Sequence, residues 1–259
     1  MRKKVLLTTI VAFVILVAAV AAGLNAIFTV TYVRLEFQPY TEQGSADAQS
    51  LREDLDTFIG KSTAFLDLDD VAAVVEKYPC MRLDLIEKAN PTTIRLAITE
   101  RRETFAAVRE EGGYAILDEV GTYLYDKETA KNRSAGENIL LEDFHFTVSE
   151  GHVSGSYLPA LLEMAAAFQE TFGEIRANIL SITLVQPTSN VRSDFFRLRM
   201  QEGVVIDIAK PSEGMREKSA AAIARYLTLS DEERTFGFIT AFDGAEGAET
   251  DYTRNSRLS

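Results

Sequence analysis

The sequence predicts an α+β protein with an N-terminal transmembrane helix, a β-α-α-β-β domain, and a mixed β domain with flanking helices. A long apolar run follows Arg2, Lys3 and Lys4, and two helical patterns lie between strand patterns within residues 29–100. Short alternating runs separated by turn residues fill residues 101–242. Residues 243–259 show no periodicity and are predicted to be a disordered tail.

The N-terminal apolar run extends from Val5 to Phe28. As a helix, about 24 residues would be roughly 36 Å long, which exceeds the roughly 30 Å of a bilayer's hydrocarbon core. The three preceding cations should stay in the cytoplasm, so the bulk of the chain is expected outside it. A cleaved signal peptide is the alternative, because Ala19-Val20-Ala21 resembles a cleavage site, but the run is longer than usual for one. Residues 1–28 are therefore predicted to be a cytoplasmic stub and an uncleaved single-pass membrane anchor.

Composition excludes several classes of function. The chain has 27 Lys and Arg against 39 Asp and Glu, a net charge of −12, which argues against binding nucleic acid. The single Cys excludes an intrachain disulfide, and two His residues leave few ligands for a metal site. We expect no cofactor, no metal and no small-molecule substrate.

Residues 29–100 give the order strand, helix, helix, strand, strand. Thr29–Phe37 alternates as a strand, and Ala89-Asn90-Pro91 joins two further alternating runs. The first helix is predicted to end near Gly60, and the second to begin near Asp67. The apolar positions of these patterns form the predicted core: Leu51, Leu55, Val71, Val74, Leu83, Leu85, Ile94, Leu96 and Ile98.

Residues 101–242 are predicted to contain more strands than helices. Strands are expected at 104–110, 114–118, 122–125 and 179–185, a hairpin at Phe196–Ile208, and a last strand at Thr235–Phe242. Helices are expected at 158–172 and around 215–226.

Two short motifs resemble catalytic sequences without fitting them. Gly60-Lys61-Ser62 matches the end of a phosphate-binding loop, but Leu55 stands where the first glycine is needed and a helix precedes it. Residues 151–155 resemble a nucleophile elbow with one residue too many, and only His145 or His152 could act as base. We therefore predict no catalytic residues, with a secreted or membrane-anchored enzyme as the alternative.

Residues 77–121 carry the most distinctive sequence. Lys77-Tyr78-Pro79 and Leu83-Asp84-Leu85 precede the run Asn90–Arg101, which is similar to a "P-x-T-L-x-I-x-V-x-E-R" strand, and Tyr114–Gly121 is similar to an "L-V-D-x-x-G" run. Leu158–Leu162, the Phe196–Ile208 hairpin and a helix containing Lys218 follow in a matching order. In these motifs the chain resembles the FtsQ/DivIB family of bacterial cell division proteins over about residues 1–242.

The resemblance implies a POTRA domain at 29–100 and a C-terminal β domain at 101–242. It also implies a scaffold of the division septum rather than an enzyme, held in the cell membrane by its N-terminal helix and binding FtsB/DivIC-like and FtsL-like partners. A POTRA-bearing component of a protein transport system is a further alternative. That class normally has tandem POTRA units and a long series of barrel strands, and the sequence has neither.

The last predicted strand is the expected partner-binding element. Because a polar tail follows it, this strand should lie at or near a sheet edge, where its apolar side chains exceed what a free edge normally exposes. A partner strand added to the edge would explain them, while an ordinary inner strand is the alternative. The predicted partner-binding residues are Phe236, Phe238, Ile239, Thr240 and Phe242.

Overall fold

The structure is a computed structural model that describes residues 11–17, 19–20, 23, 27–109, 111–130, 137–149, 151–188 and 193–254. The chain divides into two compact units, Met1–Arg101 and Arg102–Ser259. Each unit has its own apolar core.

The N-terminal run contradicts the predicted transmembrane helix. Residues 11–17 and 19–20 are helical. Residues 5–10, 18, 21–22 and 24–26 of the predicted span lie outside the described residues. Among the described residues, no helix is both long enough and apolar enough to cross a membrane.

The first unit is a three-stranded sheet with two helices. Its elements follow the order strand, helix, helix, strand, strand: β1 (Tyr32–Glu36), α1 (Glu42–Asp56), α2 (Leu68–Val75), β2 (Met81–Asn90) and β3 (Thr93–Glu100). The strand order is β1-β3-β2. The central strand β3 is parallel to β1 and antiparallel to β2.

A buried carboxylate connects the end of β3 to the start of α1. Glu100 accepts hydrogen bonds from the backbone N–H groups of Tyr40 and Thr41 and from the Thr41 hydroxyl. Thr41 in turn caps α1, since its side chain accepts from the N–H of Gly44 at 2.9 Å. A Cβ at Gly44 would lie 2.5 Å from the Glu100 carboxylate, so this contact requires glycine.

The core of the first unit departs from the prediction at one strand. The buried members of the predicted set are Leu51, Leu55, Val71, Ile94, Leu96 and Ile98. Val74 and Leu83 are half-buried, but Leu85 is 40% exposed, so its assignment to the core is wrong. The pairing of β2 with β3 shifts between Leu83 and Leu85, and this bulge turns Leu85 outward and Ile86 inward.

The second unit is a nine-stranded mixed sheet with helices. Its elements are β4 (Phe105–Val108), β5 (Tyr114–Leu117), β6 (Tyr123–Lys127), β7 (Ile139–Glu142), β8 (Thr147–Ser149), β9 (His152–Ser154), α3 (Leu158–Phe172), a 3-10 turn (Ile175–Ala177), β10 (Ile179–Val185), β11 (Phe195–Met200), β12 (Val205–Ala209), α4 (Met215–Leu227), α5 (Asp231–Arg234), β13 (Gly237–Gly244) and β14 (Gly247–Arg254). The strand order is β14-β13-β12-β11-β10-β7-β4-β5-β6, and β8 and β9 form a separate hairpin.

Parallel pairs make this sheet mixed. The short strand β7 lies between β4 and β10 and is parallel to both. β13 is parallel to β12, and α4 makes the connection between them. All other neighbours in the nine-stranded sheet are antiparallel.

One face of the sheet packs against α3 and α4. Leu161, Met164 and Phe168 of α3 and Ala222 and Ile223 of α4 belong to a single buried cluster with alternate residues of the strands. The strand residues of this cluster include Ile182, Phe196, Leu198, Ile206, Ile208, Ile239 and Ala241. Side chains alternate along a strand, so the residues between these face away from the helices.

Candidate functional site

The predicted partner-binding residues lie on or next to an inner strand. β13 pairs with β12 on one side and with β14 on the other, so this strand lies next to the sheet edge rather than at it. Ile239 is fully buried on the helix-covered face. Phe238, Thr240 and Phe242 alternate with it and share the opposite face, where Thr240 is exposed.

The actual edge strand comes from the predicted disordered tail. Residues 247–254 form β14, whereas residues 255–259 lie outside the described residues. Ala245 and Glu246 connect β13 to β14, and Gly247 has a φ of +130°, a conformation that favours glycine. The prediction missed this strand because its side chains are mostly polar, although a short turn bounded by Gly244 and Gly247 is a hairpin signal.

Tyr252 fixes β14 to the body of the unit. Its ring lies over Gly237, where an added Cβ would be 2.3 Å from the ring, and its hydroxyl donates to the Glu233 carbonyl at 3.3 Å. The Arg225 guanidinium of α4 lies 5.3 Å from the ring centroid, within range of a cation–π contact. Arg254 lies 5.2 Å from the ring centroid of Phe236, the predicted docking residue that precedes β13.

The Gly237 contact gives a testable prediction. In Gly237→Ala the new methyl group should displace the Tyr252 ring and lower the free energy of unfolding by about 1–3 kcal/mol. Chemical denaturation followed by circular dichroism measures this change. The matched control is Gly151→Ala, where no atom lies within 4 Å of the added Cβ, although its positive φ carries its own modest cost. Equal loss in both variants would show that crowding by Tyr252 is not the cause.

Lys218 joins the other end of the same hairpin to α4 and β12. Its side chain is fully buried, and its Nζ donates to the carbonyls of Ala209 at 2.7 Å and Lys210 at 2.8 Å. The third contact is to Asp243 Oδ2 at 3.5 Å, near the end of β13. The three N–H donors of the ammonium thus meet three acceptors on two segments, the end of β12 and the end of β13.

The two edges of the nine-stranded sheet differ. β6 has five residues, its pairing with β5 shifts register between Ile116 and Leu117, and it ends in Lys127. β14 pairs with β13 over eight residues without a register shift, and it contains neither Pro nor Lys. Short length, bulges and charged side chains, lysine above all, are devices by which proteins block edges. β6 has all of them, whereas β14 is long and regular and carries only the charges of Glu249, Asp251 and Arg254, so β14 is the more open edge.

A polar cluster around Glu103 contributes to the protection of β6. Glu103 accepts hydrogen bonds from Lys127 Nζ at 2.7 Å, from Asn138 Nδ2 at 2.8 Å and from the Tyr125 hydroxyl. Burial by itself would raise the pKa of the Glu103 carboxyl, but these hydrogen bonds outweigh it and hold the pKa below its usual value. The lysine that blocks this edge is therefore held in place.

The face of the sheet that α3 and α4 do not cover, here called the open face, carries charged residues in the strands that lead to β14. Arg197 and Asp207 form a bidentate pair at 2.9 and 2.8 Å, and this hydrogen bonding raises the pKa of Arg197. The pairing register continues from Asp207 to Thr240 and from Thr240 to Asp251. Arg197, Asp207, Thr240 and Asp251 therefore form a row across neighbouring strands, and Asp251 is its last member, at the sheet edge.

The motifs that resemble catalytic sequences do not assemble into an active site. Ser62 lies in a turn after α1, and His152 lies in the β8–β9 hairpin. His145 lines a cavity of about 120 Å³ together with Phe146, Ser156 and Tyr157, below the several hundred Å³ typical of ligand pockets. Within the described ranges, no group of three or more His, Cys, Asp or Glu residues could hold a metal ion.

Comparisons with known proteins give likenesses to solved structures only. No family model matches the chain, and no curated protein matches it. The chain is similar to the solved structure of the major extracytoplasmic domain of the trans isomer of the bacterial cell division protein DivIB from Geobacillus stearothermophilus. That match has 18% sequence identity and a TM-score of 0.27, and it covers 51% of this chain and 98% of the other.

Proposed function

We propose that this protein is a non-enzymatic scaffold of the bacterial division machinery that binds its partner by adding a strand to β14. Its compact units act outside the cytoplasm at the division septum, and its partners are of the FtsB/DivIC and FtsL types. In strand addition, backbone hydrogen bonds supply affinity and alternate side chains supply selectivity.

The open edge of β14 is the observation that carries the docking proposal. A long edge strand without a bulge or lysine can pair with other chains in an uncontrolled way. A partner strand that covers β14 would explain why this edge is left open. Tyr252 contacts the Glu233 carbonyl and Asp243 contacts Lys218, so both strands of the hairpin are tied to the helix-covered side. Phe238, Thr240 and Phe242 lie on the opposite face of β13, one strand in from the edge, where they offer a secondary surface to side chains that reach across β14.

The division role rests on the sequence motifs. Asn90–Arg101, which resembles the FtsQ/DivIB strand, ends with the carboxylate of Glu100 that anchors α1 in the first unit. Lys218, in the other motif, contacts Asp243 of the β13–β14 hairpin. In a scaffold, both motifs would therefore serve to stabilise the fold, a role that requires no catalytic group.

Localisation in dividing cells tests the division role. A fluorescent fusion to the full chain should gather at the septum, and FtsB/DivIC-like and FtsL-like proteins should co-purify with it from membrane extracts. A uniform distribution of the fusion, with no division protein recovered, would contradict the proposal.

Two neighbouring proline variants test the docking edge itself. Backbone N–H groups alternate in direction along a strand, so Thr250→Pro and Asp251→Pro remove one donor directed at β13 and one directed outward. The variant that loses the outward donor should stay folded and lose at least about tenfold in partner capture, because strand addition depends on backbone bonds. Asp251→Ala controls for the lost carboxylate. Undiminished capture by both proline variants, with circular dichroism of a folded protein, would exclude β14 as the docking edge.

A further inference from the structure

We infer that the segment docking on β14 is a strand in which cationic side chains alternate with apolar ones. This inference rests on the proposed function, since it names the chemistry of the partner at the same edge. It comes from the charges on one face of β14 and from the small side chains on the other.

The β13–β14 hairpin carries an excess of carboxylates. Asp243, Glu246, Glu249 and Asp251 are exposed, and the one cation of residues 237–254 is Arg254, which pairs with Glu232 at 2.6 Å. Within the described ranges, neither Glu246 nor Asp251 has an ion-pair partner. Asp243 is paired with Lys218, so the negative charge that lacks a cation among the described residues is that of Glu246, Glu249 and Asp251.

The cross-strand row on the open face indicates where the partner's charge must fall. Along this row Arg197 is paired with Asp207, Thr240 is neutral, and Asp251 is the last position. Oppositely charged side chains directly across a strand pair attract, whereas like charges destabilise the pairing. The next position, on an added strand, therefore favours Lys or Arg.

Glu249, two residues before Asp251, also favours a cationic side chain on the partner strand. It shares a face with Asp251, because β14 alternates exposed and half-buried side chains. Residues i and i+2 of a strand lie about 6.7 Å apart on the same face, so two cations at i and i+2 of the partner would match both carboxylates. The Glu249 side chain now folds over Gly244 and accepts from Ala245 N–H at 3.2 Å, so it would turn outward to meet a cation of the partner.

The other face of β14 favours apolar partner side chains. Ala248, Thr250 and Tyr252 are half-buried on the side of α4. α4 runs along this strand, since Gly214 at its start lies near Asp243 and Arg225 near its end covers Tyr252. Ala248 and Thr250 are short, so medium-sized apolar side chains of an added strand would pack beside them and against the flank of α4.

Two labelled octapeptides test this chemistry on the full chain. One alternates lysine with valine, and the matched peptide alternates glutamate with valine. Fluorescence anisotropy should show that the lysine peptide binds at least about tenfold more tightly at low salt, with the difference shrinking at high salt. Hydrogen exchange should show that the bound peptide protects residues 247–254.

Charge reversal provides the decisive variant. Glu249→Lys combined with Asp251→Lys should reverse the preference toward the glutamate peptide. The control combines Glu119→Lys with Glu128→Lys, two exposed residues near β5 and β6, which changes the net charge equally and should keep the lysine preference. Retention of the lysine preference in the first variant would overturn the inference.

The remaining outcomes separate this inference from the proposed function. If both peptides protect β14 equally, the edge binds strands but the charge rule is wrong. If neither peptide protects β14, the inference also fails, while septal localisation and co-purification still decide the division role independently.

Discussion

Replacing Lys218 by methionine should lower the free energy of unfolding of the second unit by about 2–4 kcal/mol. Methionine has a similar length but no donors, so the carbonyls of Ala209 and Lys210 would be left without the partner they have now. Leaving buried polar groups unpaired is among the costliest effects of a single substitution. Native-state hydrogen exchange should show the loss first in the amides of β12 and β13.

Asp243→Asn is the matched control for that substitution. The Asp243 side chain is 45% exposed and lies 3.5 Å from Lys218 Nζ, so losing its charge should cost less than about 1 kcal/mol. If Lys218→Met is as mild as Asp243→Asn, the two carbonyl contacts at the end of β12 contribute little to stability, and the role assigned to Lys218 is wrong.

Leu96→Ala should cost the first unit about 2–5 kcal/mol. Leu96 is fully buried in the middle of β3, the central strand of its sheet, so truncation removes apolar contact and leaves a cavity. Thermal or urea unfolding of the full chain, followed by circular dichroism, should show a destabilised transition for this unit.

Leu85→Ala makes the same chemical change at a different position in the sheet. Leu85 lies on β2 beyond the bulge and is already partly in contact with water, so we expect a loss below about 1 kcal/mol. Similar losses for Leu85→Ala and Leu96→Ala would contradict the arrangement of the three strands.

Sequence periodicity predicted the elements of the first unit and failed at one bulge. Ile94, Leu96 and Ile98 alternate without interruption, and β3 buries all three. In β2 the same alternation predicted that Leu83 and Leu85 share a face, but the extra residue Asp84 reverses the phase. Asp84 bonds to Arg82 and Thr99, and such tertiary contacts have no signature in the apolar pattern.

The strands missed in the second unit, β7, β8, β9 and β14, fall where the apolar pattern is least informative. β7 has four residues and β8 and β9 have three each, too few for alternation to distinguish them from a loop. β14 is an edge strand, which buries one face incompletely and therefore needs few apolar residues. The aromatic residues of β13 were correctly placed in a strand, but only the pairing with β14 shows that this strand is internal.

The central position of β7 has a consequence for how fast the second unit folds. Both pairs made by β7 are parallel and join segments distant in the chain, whereas β13 and β14 are joined by only Ala245 and Glu246. Loop closure must precede contacts between distant segments, so such pairs form slowly, while a hairpin forms in about 1–10 μs. Refolding should therefore be limited by closure of the sheet around β7, with the hairpin able to form locally long before that step.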